Sequence, residues 1–67
     1  MRKHVQLPKG VHVLLEDDGT VQVIMLGYRP GVAPTREKVE GLVGGPIELG
    51  EVVVMPDGVA MATGRKK

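Results

Sequence analysis

Apolar residues recur at every second position through Val11-His12-Val13-Leu14-Leu15 and again through Val21-Gln22-Val23-Ile24-Met25-Leu26. A period of two is the spacing of a strand with one buried face, so both runs are read as β-strands. The link between them, Glu16-Asp17-Asp18-Gly19-Thr20, closes a hairpin, because Asp-Gly supplies the positive φ that a tight turn demands. The pattern returns near the end of the chain. Val52-Val53-Val54-Met55 and Val59-Ala60-Met61-Ala62 flank Pro56-Asp57-Gly58, where proline presets φ and glycine accepts the left-handed position.

Between the hairpins the spacing changes. Residues 27–34 are crowded with glycine and proline and read as a loop. Thr35 is placed to cap a helix of about two turns that ends at Val43, with Glu37 in the first turn where the helix dipole favours an acid. Val39, Leu42 and Val43 fall at i, i+3 and i+4 on one face, opposite Arg36 and Glu40. Gly44 then caps the helix, and Pro46 keeps it from resuming. The expected fold is α+β in the order ββαββ, two hairpins forming a small antiparallel sheet with one short helix on one face. Residues 4–7 would add an edge strand.

Sixty-seven residues make one small domain, here 1–67, near the lower limit for a self-supporting core. The limit matters more because Tyr28 is the sole aromatic residue among Phe, Trp and Tyr, so the core must be built from aliphatic side chains, twelve of them valine. Cysteine is absent, which excludes disulfides, thiolate metal sites and a thiol nucleophile. Serine and asparagine are absent too, a bias that suits a hot environment and equally a GC-rich genome.

The strand pattern leaves a packing problem. Val11, Val13 and Leu15 oppose Leu14; Val21, Val23 and Met25 oppose Ile24 and Leu26; Val52 and Val54 oppose Val53 and Met55. Both faces of the sheet thus carry apolar residues, and one short helix covers only one face. A second copy of the chain is the simplest cover for the other, so a homodimer is expected.

Net charge is only +1, yet its distribution along the chain is uneven. Arg2, Lys3 and Lys9 at the start and Arg65, Lys66 and Lys67 at the end give the termini +6, while residues 11–64 carry −5. The ends, 1–10 and 65–67, are read as flexible basic extensions that either solubilise the chain or bind nucleic-acid phosphates. No stretch is long and apolar enough for a membrane span, and the basic start lacks the apolar run of a secretory signal, so an intracellular location is expected.

Catalytic chemistry is sparse. His4 and His12 are the only imidazoles, and neither has a second histidine or a carboxylate at metal-ligand spacing, so no metal or cofactor is expected. Asp17-Asp18 before glycine is ordinary turn chemistry. Thr20, Thr35 and Thr63 are the only hydroxyl nucleophiles besides tyrosine, and no base neighbours them in sequence, so the chain is read as a non-enzyme. The glycines of Gly41-Leu42-Val43-Gly44-Gly45 follow a helix, whereas a phosphate loop precedes one. Tyr28 and Arg29 are the strongest candidates for partner contact, since these residue types most often anchor interfaces; Tyr28 could equally cover one end of the core.

The run Leu42-Val43-Gly44-Gly45-Pro46-Ile47-Glu48, together with the flanking hairpins and the closing Pro56-Asp57-Gly58-Val59-Ala60, resembles a family of small domains of unknown function encoded mainly by bacteriophages and prophages. The similarity spans about residues 11–61 and centres on Leu-Val-Gly-Gly-x-Ile-Glu. This chain departs from the family at Pro46, where an aromatic residue is usual, and in its basic tail. The resemblance implies a virus-encoded accessory protein of α+β fold acting in the host cytoplasm, and it carries over no catalytic residue. Two functions follow as expectations: binding of a host or viral protein through Tyr28, Arg29 or an exposed strand edge, and, as the rival, nucleic-acid binding through the six terminal cations.

Overall fold

The computed structural model describes residues 2–29, 31 and 33–67, so Pro30 and Val32 of the expected loop lie outside it. Its elements are β1 (Lys3–Leu7), β2 (Val11–Leu15), β3 (Thr20–Met25), α1 (Arg36–Val43), β4 (Ile47–Leu49), β5 (Val53–Val54) and β6 (Ala60–Lys66). The α+β class and the antiparallel sheet agree with the sequence reading. The order ββαββ does not: three strands precede the helix and three follow it. β1 is a full strand in register with β2 from Lys3↔Leu15 to Leu7↔Val11, and Ile47, Glu48 and Leu49 form a strand of their own.

The sheet runs β1-β2-β3-β6-β4, and β5 pairs with the same edge of β6 that β4 occupies further along. β4 and β5 are therefore two halves of one broken edge strand. Leu49 faces Gly64 and Val53 faces Met61, so Gly50, Glu51 and Val52 stand against only Ala62 and Thr63. One extra residue on the edge side is a β-bulge, and the Gly50 N–H still reaches the Thr63 carbonyl at 3.0 Å.

The two long hairpins close with the same chemistry. In the first, Glu16 N–H donates to the Thr20 carbonyl at 2.8 Å and Gly19 N–H to the Glu16 carbonyl at 3.1 Å, while Asp18 Oδ1 accepts from Thr20 N–H at 2.9 Å. In the second, Met55 N–H donates to Val59 at 2.8 Å and Gly58 N–H to Met55 at 3.0 Å, with Asp57 Oδ1 accepting from Val59 N–H at 3.0 Å. Each is a three-residue Asp-Gly loop in which the aspartate satisfies a donor the ladder leaves open. The β1–β2 turn is different: Lys9 sits at φ 65, a conformation that costs an L-residue about 1–2 kcal/mol.

The helix obeys its sequence signals. Thr35 Oγ1 accepts from Lys38 N–H at 3.2 Å, and Gly44 at φ 87 takes the left-handed cap position. Val39 and Val43 are buried against Val11, Val13, Val21, Val23, Met25, Ile47, Ala60 and Ala62, and among the described residues no polar or charged residue is buried with them. The core thus lies between α1 and one face of the sheet. The opposite face, bearing His4, Gln6, His12, Leu14, Gln22, Ile24, Met61 and Thr63, has no helix above it among the described residues.

Candidate functional site

The broken edge strand is where apolar surface concentrates. Val52 is 37% exposed, Val53 56%, Val54 54% and Met55 44%, and Leu26 at the end of β3 is 50% exposed. Val53 pairs with Met61 and Val54 with Ala60, so these two lie on opposite faces as the sequence alternation has them, yet all four residues are exposed. Both halves are edge strand beside β6, but α1 packs against β4 and Ile47 is wholly buried, whereas past the extra residue at Gly50–Val52 residues 52–55 are all exposed.

The segment that holds Tyr28 and Arg29 follows β3 and meets the β5–β6 turn at the end of the sheet. Tyr28 N–H donates to the Gly58 carbonyl at 3.2 Å, which fastens the loop to the β5–β6 turn. Tyr28 itself is half-buried and packs against the core cluster, while Arg29 is exposed. Of the two residues read as a contact pair, Tyr28 therefore closes an end of the core, and Arg29 is the one presented to solvent.

The six terminal cations do not form one extension. Register places Lys3 opposite Leu15, Leu15 opposite Val21, and Thr20 opposite Arg65, so the start of β1 and the end of β6 share one end of the sheet with the β2–β3 turn. Both ends of the chain, read from sequence as flexible, enter strands there. Arg2 Nε lies 2.9 Å from Glu16 Oε2, and Lys3 Nζ donates to the Leu42 carbonyl at 2.9 Å, in the last turn of α1 where a cation complements the dipole. Lys66 N–H donates to Gly19 and Lys67 N–H to Pro46. Lys9, in the β1–β2 turn, is at the opposite end.

Asp18 shares the cationic end. Its carboxyl is held below the ordinary aspartate value, chiefly by the Thr20 backbone N–H and then by the Thr20 side chain, with a smaller Coulombic contribution from Arg65. Asp17 and Asp18 thus belong to a turn, and among the described residues no group of three or more His, Cys, Asp or Glu is gathered to hold a metal. A cleft of about 350 Å³ between the β1–β2 turn and the start of α1 is lined by Lys9, Thr35 and Lys38 among apolar residues; the Thr35 hydroxyl there caps the helix.

Two arrangements escape a reading of the sequence. Glu40 was assigned to the outer face of the helix, yet its carboxylate reaches past the glycines to accept from Ile47 N–H at 3.1 Å. His4 and His12, apparently isolated from any second histidine, are in contact, with Nε2 and Nδ1 3.0 Å apart. The strand pairing creates that contact, and extending the hairpin logic back to β1 would have revealed it.

No helix among the described residues is long and apolar enough to cross a membrane. No family model, no curated protein and no solved structure matches this chain.

Proposed function

We propose that this chain is a non-enzymatic interaction protein that receives an extended segment of another protein along its β5 edge, with Arg29, exposed near the β5–β6 turn, as a further contact. One observation carries the reading: four consecutive apolar residues, Val52, Val53, Val54 and Met55, are exposed along the two-residue edge strand β5 and its flanks. Edges of soluble proteins are ordinarily blunted by charge, proline or a bulge. The β4 half carries charge in Glu48 and is followed by Glu51, whereas the β5 half, two residues between the bulge and Pro56, carries no charge. A second strand added there gains main-chain hydrogen bonds and covers the valines in the same step. The lack of serine, cysteine and an activated hydroxyl supports a binding role. The phage-family resemblance supports an accessory protein whose partner is a host or viral protein inside the infected cell.

Affinity capture from lysate of the natural host tests this reading. A nuclease-resistant protein partner is expected with the wild-type chain, weakened by Arg29→Ala and lost with Val53→Lys. Equal capture by wild type and Val53→Lys overturns edge docking.

A second reading is favoured by the convergence of Arg2, Lys3, Arg65, Lys66 and Lys67 at one end of the sheet. Nucleic-acid binding there would fall steeply with salt. It would also weaken with Lys66→Ala and Lys67→Ala and be indifferent to Val53→Lys. The acids of the β2–β3 turn lie among these cations and oppose it.

A further inference from the structure

On the face of the sheet that no helix covers, His4 of β1 and His12 of β2 stand diagonally across an antiparallel pair, His4 opposite Leu14 and His12 opposite Gln6. Their ring centroids are 5.2 Å apart with planes 29° from parallel, and Nε2 of His4 lies 3.0 Å from Nδ1 of His12. His4 is exposed and His12 half-buried, so solvent reaches the pair. We propose that these two imidazoles form a bidentate site for a divalent late transition metal, with Cu²⁺ as the preferred ion.

The pairing of β1 with β2 carries the argument, because it brings two imidazole nitrogens within the span of one ion. Two nitrogens bound at about 2.0–2.1 Å in neighbouring corners of a tetragonal ion stand about 2.8–3.0 Å apart. Neighbouring corners of a tetrahedral ion at the same bond length stand about 3.3–3.4 Å apart. A separation of 3.0 Å is that of an N–H···N hydrogen bond and brings both nitrogens within reach of one ion of either geometry after a small turn of the rings; the preference for Cu²⁺ rests on its lead in the affinity order for nitrogen donors. Strand register fixes the two backbones before any ion arrives, which lowers the ordering cost of chelation.

The surroundings permit a dication. Around the pair on this face the register neighbours are Gln6, Leu14 and Ile24, all neutral. Arg2, two residues before His4 on the same strand face, is neutralised by Glu16 at 2.9 Å. With both rings neutral, one N–H lies between them and the facing nitrogen accepts it. Binding moves that proton to the remote nitrogen of its own ring, leaving a lone pair on His4 Nε2 and another on His12 Nδ1 with no net proton release. Water completes the coordination, since no third His, Cys, Asp or Glu is gathered with the pair among the described residues.

Titration of the full chain with CuCl₂ at neutral pH, followed by calorimetry and electron paramagnetic resonance, tests the site, with ZnCl₂ in parallel and far-UV circular dichroism to verify folding. The expected result is one equivalent of Cu²⁺ with hyperfine coupling to two imidazole nitrogens, an affinity at least tenfold above that for Zn²⁺, and at least a tenfold loss in each of His4→Ala and His12→Ala. Folded variants that bind Cu²⁺ as tightly as wild type overturn the proposal. So does a loss confined to one variant, which would mark a single-imidazole ligand, and so does tighter binding of Zn²⁺ than of Cu²⁺.

Discussion

Glu40 accepts three backbone donors at the end of α1: its carbonyl takes Gly44 N–H at 2.9 Å and Gly45 N–H at 3.1 Å, and its carboxylate takes Ile47 N–H at 3.1 Å. A charged acceptor on a partly buried donor is worth more than an ordinary hydrogen bond, and its removal leaves the amide beside the buried Ile47 side chain without it. Glu40→Ala is expected to lower stability by about 1–2 kcal/mol in urea unfolding at neutral pH, with Glu40→Gln recovering part of the loss. Helical periodicity placed Glu40 on the solvent side. Periodicity describes where a side chain leaves the helix, and near a C-terminus the side chain can reach forward over the cap. At the β2–β3 turn Asp18 makes a pH-dependent contribution of definite sign. Its folded-state pKa is lowered, mainly by the Thr20 backbone N–H. The stabilisation is therefore complete above the ordinary aspartate value and disappears as pH falls through the lower folded value. Urea midpoints of wild type and Asp18→Asn should differ by a constant amount near neutral pH and converge on the acid side of that window; a difference that persists unchanged into acid would exclude this linkage.

At the level of elements, the legible parts were those with local signatures. The Asp-Gly turns, the Thr35 cap and the Gly44 stop follow from residues adjacent in sequence, and α1 ends at Val43 as those residues dictate. The parts that escaped depend on pairing. β4 is three residues long between Pro46 and Gly50, too short for a period to be visible, and β6 continues through Thr63, Gly64, Arg65 and Lys66 because the backbone ladder, not the side chains, holds it. Gly64 is the hinge of that pairing. A Cβ there would collide with the Glu48 carbonyl oxygen and press on Leu49 Cα, both backbone atoms that no side-chain rotation can clear. Gly64→Ala should therefore push β4 away from β6 and cost about 1–3 kcal/mol. Denaturant unfolding gives the loss, and faster hydrogen exchange of the β4–β6 ladder amides locates it; unchanged exchange would place the strain elsewhere.

Across the whole molecule, the split of charge along the chain does not survive folding. The +6 of the ends and the −5 of the middle were read from sequence as separate regions, yet β1, β3 and β6 bring Arg2, Lys3, Arg65 and Lys66 to the same end as Glu16, Asp17 and Asp18. The hydrophobic imbalance does survive. On the uncovered face Ile24 and Met61 are half-buried in one register row that continues to the exposed Val53, and Leu14 lies in the next row. An interface of ordinary size takes about 800 Å² from each partner, under a fifth of the 4421 Å² this molecule exposes; because His12, Ile24, Met61 and Val53 share one row, a second copy seated there would compete with edge docking at Val53 and with metal binding at His12. We propose such a dimer, and sedimentation equilibrium at tens of micromolar should give twice the 7.2 kDa chain mass. Met61→Lys places a charge in the centre of the apolar row, where pairing with another copy would bury it without a partner. The variant should return to the single-chain mass with an unchanged far-UV spectrum. A wild-type mass of 7.2 kDa under the same conditions would rule out the dimer and leave the uncovered row to another partner.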